Sequence, residues 1–174
     1  MKKFIASVAV LLTLTIYLVS CEKDDICSED TPTTPNLIIE FYDRDIQDQL
    51  KSLTGMQYYE VGNANIDTLT GSTLELPLRT DADTVKWAFK YTATIGGETY
   101  TNIDILEFRY TRNEVYVSRA CGYKTLFLLD QGDSLEPNPL HTDDVSGDGL
   151  WIYGITTLTN NIENEDETHV KIFF

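Results

Sequence analysis

The chain has 174 residues, of which 28 are acidic and 13 are basic, so its formal net charge at pH 7 is −15. Residues 1–21 contain two of the basic residues and none of the acidic ones, which leaves a net charge of −17 from residue 22 onward. This charge excludes nucleic acid as a partner, because phosphate binding needs clustered Lys and Arg side chains. The remaining length, about 150 residues, suits one domain with its own core.

The N-terminal segment has the pattern of a bacterial lipoprotein signal. Lys2 and Lys3 precede an uncharged, mostly apolar run, Phe4–Ser20, which ends at Cys21. A transmembrane anchor is the alternative, but it needs about 20 consecutive apolar residues and this run is shorter. We therefore predict a signal peptide over residues 1–20 and lipidation of Cys21. Acyl chains on Cys21 would anchor the protein at about 0.8 kcal/mol per buried CH₂ group.

Residues 21–36 read as a lipidated cysteine followed by a tether, and residues 37–174 as a single domain. The start of this tether, Glu22-Lys23-Asp24-Asp25, resembles the signal that sends lipoproteins of the Bacteroidota to the outer face of the outer membrane. The alternative is a solvated spacer on a protein that faces the periplasm. Pro32 and Pro35, which lie among Ser and Thr residues, indicate an extended stalk.

Cys27 and Cys121 remain once Cys21 is assigned to the lipid. An exported protein meets an oxidising compartment, so we expect these two cysteines to form a disulfide bond. Two free thiols are the alternative.

Alternation of apolar and polar residues predicts β-strands throughout the domain. Trp87 lies on the apolar stripe of the clearest strand, and Gly96-Gly97 predicts a tight hairpin turn after it. A change of phase near Ile105 predicts a β-bulge, and Arg112-Asn113 predicts a turn. Two stretches, 63–72 and 130–149, are predicted loops. The predicted strands span 37–42, 56–61, 73–78, 85–91, 101–111, 115–118, 123–129, 150–158 and 168–174.

About eight or nine short strands with regular turns predict an all-β fold. The expected architecture is an antiparallel β-sandwich of the immunoglobulin or transthyretin kind, with a small β-barrel as the alternative.

A hydrolase motif occurs by coincidence in the second predicted loop. Gly132-Asp133-Ser134-Leu135 spells the nucleophile block of a lipase and esterase family, and Asp166-Glu167-Thr168-His169 resembles its Asp-x-x-His. That family places its Ser near the start of an α/β fold and has oxyanion blocks that this chain lacks. We therefore expect no catalytic residue and no enzyme. His141 and His169 are expected to be surface groups without zinc-ligand spacing.

A fragment of a calcium-loop pattern follows. Asp144, Ser146 and Asp148 alternate and precede Gly149, as in the first half of an EF-hand loop. The twelfth position is Ile155 rather than Glu, which excludes an EF-hand. A looser calcium site that also uses Asp143 or Asp133 remains the alternative to a simple acidic loop, and we expect no other metal and no cofactor.

Several segments together resemble a family of uncharacterised Bacteroidota lipoproteins. They are LIIEFYD at 37–43, LPLRTD at 76–81 and above all VSRACGYKTLF at 117–127. The resemblance implies the fold and the compartment but no activity, cofactor or catalytic residue. In that family a Cys near the lipid site and a Cys in the RACGYK segment occur together, which supports pairing of Cys27 with Cys121.

These features lead us to expect a non-catalytic, lipid-anchored protein of the outer membrane, at the cell surface rather than on the periplasmic face. Its expected role is to bind or support a membrane partner, for example an outer-membrane protein. Capture of glycans or other ligands at the surface is the alternative function, and it predicts a solvent-exposed row of aromatic side chains.

Overall fold

The computed structural model describes residues 26–28, 31, 33–145 and 147–174. The predicted signal peptide, the lipidation site Cys21 and the calcium candidate Ser146 lie outside the described residues. Within the described ranges the chain is all-β, with eleven strands and no helix. The described part accordingly contains no helix that could cross a membrane.

The strands are numbered in chain order. They are β1 Leu37–Tyr42, β2 Leu53–Glu60, β3 Asp67–Gly71, β4 Thr73–Leu76, β5 Thr84–Ile95, β6 Glu98–Ser118, β7 Gly122–Leu129, β8 Leu140–Asp143, β9 Gly154–Thr157, β10 Asn161–Ile162 and β11 Val170–Phe173.

The strands form two sheets. One has the order β4-β1-β11-β9, in which β1 and β11 run parallel. The other has the order β10-β7-β6-β5-β2-β3, and β8 pairs separately with β6. Each sheet ends in an edge strand on both sides, so neither closes on itself. The fold is therefore the predicted β-sandwich and not the small barrel.

The core is built from apolar residues that alternate along strands of both sheets. Trp87 is 7% exposed, which confirms that it belongs to the core. The fully buried aromatic residues come from both sheets, with Phe41 on β1, Phe89 on β5, Phe108 and Tyr110 on β6, and Phe127 on β7.

Strands β5 and β6 form a long hairpin whose turn was predicted correctly. Gly96 and Gly97 have φ angles of 63° and 90°, a conformation that favours glycine. The predicted bulge near Ile105 is wrong, because the pairing with β5 runs in one register from Thr84 to Ile95. Ile105 is half-buried on the face opposite the core, so both faces of β6 carry apolar residues without a change of phase.

The predicted turn at Arg112-Asn113 is also wrong, since β6 continues to Ser118. The Arg112 side chain instead binds the neighbouring segment, with Nε 2.7 Å from Asp83 Oδ1 and Nη1 bonded to the Thr80 carbonyl. These contacts hold the backbone of Arg112 extended beside residues 80–83.

Two of the predicted loops contain strands. Strand β3 lies within 63–72 and pairs with β2, while β8 lies within 130–149 and pairs with β6. Both strands are short and mostly polar, so their alternation is weak and their pairing depends on backbone hydrogen bonds to longer neighbours. With the two-residue β10, they raise the number of strands above the eight or nine expected.

The chain divides into two compact units. One comprises Pro32–Val115 and Thr125–Phe174, and it contains the core. The other brings the described residues 26–28 and 31 together with Tyr116–Lys124, the end of β6, the following turn and the start of β7.

Candidate functional site

The turn between β6 and β7 is covalently joined to the N-terminal segment. Cys27 and Cys121 form a disulfide, with Cα atoms 4.9 Å apart and a sequence separation of 94 residues. The Cys121 amide donates to Ser118 Oγ at 3.0 Å, which closes the turn. This is the pair that the cysteine count and the resemblance indicated.

Two exposed tyrosines lie in the same unit. The rings of Tyr116 and Tyr123 meet edge to face, with centroids 5.4 Å apart. Their exposed fractions are 57% and 68%, so most of both rings is open to solvent. Aromatic pairs of this kind have an apolar face and a polar hydroxyl, which suits a partly wet interface.

A buried carboxyl group lies on the core face of β6. Asp104 is 0% exposed and accepts hydrogen bonds from the backbone amides of Trp151 and Ile152, at 3.2 and 3.0 Å. His141 Nε2 lies 2.6 Å from Asp104 Oδ2 and completes the set. A buried acid is stable only when its oxygens are hydrogen-bonded, and here three partners satisfy them.

The expectation that His141 is a surface group is wrong, since its side chain is only 16% exposed. The signal that would have identified this pair is the single Asp within the apolar run Ile103 to Leu106, on the core face of a predicted strand. Asp104 therefore fastens both β8, through His141, and the segment that leads into β9 onto β6.

His169 is likewise buried, at 0% exposure, contrary to the surface position expected for it. Its Nδ1 accepts the amide of Ile38 at 2.8 Å, and its own amide donates to the Ile38 carbonyl at 2.9 Å. Burial lowers the pKa of His169, because the charged imidazolium would lose its hydration. His169 therefore links the acidic segment before β11 to strand β1.

The hydrolase-like residues have other roles. Ser134 is exposed in the loop after β7, and Asp133 Oδ1 accepts the amides of Leu135 and Glu136 at 2.7 and 2.8 Å. These two amides lower the pKa of Asp133. The Asp and Ser of the motif thus form an ordinary Asx turn, while Nδ1 of His169 is already occupied by a backbone amide.

The calcium candidates lie close together. Ligand oxygens of Asp143, Asp144 and Asp148 are all within 4.8 Å of one another, while the position of Ser146 is not described. Asp143 Oδ2 accepts the amide of Gly149 at 2.9 Å. Calcium takes six to eight oxygen ligands, and these three side chains by themselves do not define such a shell.

Trp151, together with Tyr91 and Phe174, forms an aromatic cluster beside the core. The rings of Tyr91 and Trp151 stack with centroids 5.1 Å apart, and Trp151 Nε1 donates to the Phe89 carbonyl at 3.0 Å. All three are partly buried against the core. The cluster therefore packs the domain and leaves little of its ring faces open.

A groove of about 570 Å³ lies between β8 and β9. One wall is edge strand β9, and the other comes from the loop after β7 and from His141. Most of the lining is polar. The residues lining it are Gln131, Gly132, Asp133, Pro137, Asn138, Pro139, His141, Ile155, Thr157 and Asn160.

Comparison with known proteins gives one match. Residues 59–174, two thirds of the chain, match the model described as Family of unknown function (DUF6452). The matched range starts near the end of β2 and includes Cys121, the Asp104–His141 pair and the groove, but not Cys27. No curated protein and no solved structure matches the chain.

Proposed function

We propose that this chain, which belongs to the family of unknown function DUF6452, is a non-catalytic, lipid-anchored cell-envelope protein. Its proposed role is to bind or support a membrane partner. The signal pattern before Cys21 and the acidic residues after it support export and attachment to the outer membrane, at the cell surface. The resemblance to Bacteroidota lipoproteins at 117–127 supports the same compartment.

The observation that carries this proposal is the Cys27–Cys121 disulfide. Cys27 is six residues after Cys21, and six extended residues reach about 20 Å. A lipid on Cys21 would therefore hold the β6–β7 turn within about that distance of the bilayer. Such a short attachment suits a protein that is held in place beside a membrane neighbour better than one that moves freely.

The composition of the β6–β7 turn suits this position. Residues 116–124 include Arg119 and Lys124 and no acidic residue, although the chain as a whole carries a net charge of −15. Tyr116 and Tyr123 are exposed here, and tyrosines are favoured at the boundary between lipid and water. We infer that this turn faces the membrane.

Fatty-acid labelling in a cell that processes the full chain tests the anchor. We expect an alkynyl fatty acid to label the protein and Cys21→Ala to abolish the label and release the protein from membranes. Cys27→Ser is the matched control and should keep both the label and the membrane attachment. A Cys21→Ala protein that remains labelled would contradict the proposal, and protection from protease on intact cells would contradict surface display.

Ligand capture at the surface is the second candidate, and the exposed Tyr116–Tyr123 pair is the observation that favours it. Exposed aromatic rings bind sugar faces, although an edge-to-face pair offers less flat surface than a parallel one. If the tyrosines bind glycan, the double variant Tyr116→Ser, Tyr123→Ser should lose binding to surface polysaccharide. If they face lipid, the variant should bind polysaccharide no differently from the parent protein.

A further inference from the structure

Strand β9 has a free edge. Within the described residues β9 pairs with β11 and lies last in its sheet. The amide of Leu158 donates to the His169 carbonyl at 2.8 Å, which sets the phase of this pairing. Each residue of an antiparallel strand directs its N–H and C=O groups to the same side of the strand, and successive residues alternate between the two sides. Thr156 therefore faces β11, whereas Ile155 and Thr157 direct their N–H and C=O groups away from the sheet.

The hydrogen bonds between β11 and β1, on the opposite side of β11, support the same phase of the β9–β11 pairing. The Phe174 amide donates to the Tyr42 carbonyl at 3.2 Å, so residues 170, 172 and 174 face β1 and residues 171 and 173 face β9. The two outward-facing residues of β9, Ile155 and Thr157, are also the two that line the groove. One wall of the groove thus carries backbone donors and acceptors that point away from β11.

Residues outside β9 form the rest of the groove. Thr157 Oγ1 donates to the Asn138 carbonyl at 3.2 Å and limits the groove at one end. His141, held by Asp104, forms part of the facing wall on β8. A volume of about 570 Å³ is within the range of ligand sites.

The other sheet edges carry features that discourage pairing with a further strand, and β9 does not. Strand β4 contains Glu75 and is followed by Pro77, and strand β3 begins at Asp67. Strand β10 has only two residues, and β8, which pairs with β6 outside the main strand order, ends at Asp143. Charges, proline and short length are the usual protections of an edge. Strand β9, with the sequence Gly-Ile-Thr-Thr, has no charge and no proline.

The sequence around β9 also favours pairing with a further strand. Residues 150–162 contain no charged residue, although 24% of the chain is charged. Tyr153 and Leu158, which flank β9, are 71% and 51% exposed. Uncharged, β-prone segments left open in this way tend to associate with other strands unless something covers them.

We propose that the groove beside β9 binds an extended peptide segment of a partner protein, which adds to the sheet as a further strand. Main-chain hydrogen bonds to Ile155 and Thr157 hold the segment, and its alternate side chains contact Tyr153 and Leu158. The Asp133 carboxylate at the groove and the acidic chain favour a basic segment over an acidic one. This inference rests on the proposed function, since it names the surface that receives the partner.

Hydrogen–deuterium exchange resolved to single amides tests the proposal on the purified full chain in detergent. The probes are an end-capped pentapeptide of alternating lysine and valine and the same peptide with glutamate in place of lysine, at up to about millimolar concentration. We expect the lysine peptide to slow exchange at Ile155 and Thr157 at least about tenfold. The Thr156 and Leu158 amides, which face β11, should be protected with or without peptide.

Two variants test the geometry. Ile155→Pro removes an outward-facing amide that β11 does not use, so it should abolish protection at Thr157. Because the Ile155 side chain packs against the core, the variant should also melt at a somewhat lower temperature than the parent. If Ile155→Pro fails to fold, Asp133→Asn supplies the test. It keeps the acceptor for Leu135 and Glu136 but removes the charge, and it should reduce the preference for the lysine peptide.

Three results would overturn the proposal. One is the absence of protection at Ile155 and Thr157 with both peptides. Another is concentration-dependent protection of these amides without peptide, which would assign the groove to a second copy of the chain. The third is equal protection by the two peptides, which would contradict the preference for a basic segment. None depends on lipidation, so failure of the membrane anchor would be seen separately in the Cys21 labelling experiment.

Discussion

Asp104 on β6 and His141 on β8 are bonded across the two strands, with Oδ2 and Nε2 2.6 Å apart. The same carboxyl group receives the amides of Trp151 and Ile152. One buried side chain therefore positions both β8 and the segment that leads into β9, and through them the two sides of the groove.

Asp104→Asn tests this role in stability. The amide keeps one acceptor oxygen but brings an N–H₂ group against donors, so at least one buried donor loses its partner. We expect the free energy of unfolding to fall by about 1–3 kcal/mol, measured by urea denaturation. Glu114→Gln, an exposed change on the same strand, should shift it by less than about 0.5 kcal/mol. Equal stability of the two variants would contradict the role assigned to Asp104.

His169 predicts a loss of stability at mildly acid pH. Burial lowers its pKa below the ordinary value of 6.5, so the unfolded chain takes up a proton before the folded one. The stability contributed by neutral His169 is complete above pH 6.5 and declines as the pH falls from there toward the folded pKa. The charge of Glu167, a hydrogen bond to the Asn164 backbone and the charge of Glu165 oppose this shift without reversing its direction.

His169→Asn is the control for this pH dependence. Asn can still accept the Ile38 amide but does not titrate in this range. Melting curves between pH 7 and about pH 5.5 should show a decline for the parent protein and a flatter profile for the variant. Parallel profiles would assign the acid sensitivity to other groups.

The buried hydroxyl group of Tyr110 is expected to contribute to the stability of the fold. Its Oη accepts the Arg79 amide at 2.9 Å and donates to the Arg79 carbonyl at 3.1 Å, and the residue is 1% exposed. Tyr110→Phe removes both bonds and should lower the free energy of unfolding by about 1–2 kcal/mol. Tyr100→Phe, which removes an exposed hydroxyl, is the control and should change it little. A Tyr110→Phe protein as stable as the parent would show that water replaces the hydroxyl.

The disulfide predicts a stability difference between oxidised and reduced protein. Closing a loop of 94 residues restricts the unfolded chain, and removal of such a bond typically costs about 2–5 kcal/mol. Cys27→Ser, Cys121→Ser and the double variant should all be destabilised equally, because each loses the same bond. Non-reducing mass spectrometry should find no free thiol at these positions in the parent, and unequal losses would indicate a separate role for one cysteine.

Local patterns were sufficient for much of the fold. The alternation of Val85, Trp87 and Phe89 identified a strand with one core face, and the Gly96-Gly97 pair identified its turn, because both signals lie within a few consecutive residues. The errors at Ile105 and at Arg112 have a shared cause. Apolar residues on both faces, or polar residues held extended by a neighbour, are placed by contacts that the local pattern does not contain.

The features of the candidate sites likewise divide into those that local sequence indicated and those that long-range contacts decided. The acidic charge, the predicted all-β class and the expected pairing of Cys27 with Cys121 came from the sequence by itself, and the signal peptide before Cys21 stays a prediction. Only the tertiary structure decided that Asp104 meets His141 and that His169 meets Ile38, since these partners are 37 and 131 residues apart. It also decided that β9 lies at a sheet edge beside a groove, because strand order follows from which core faces pack together rather than from the residues of β9.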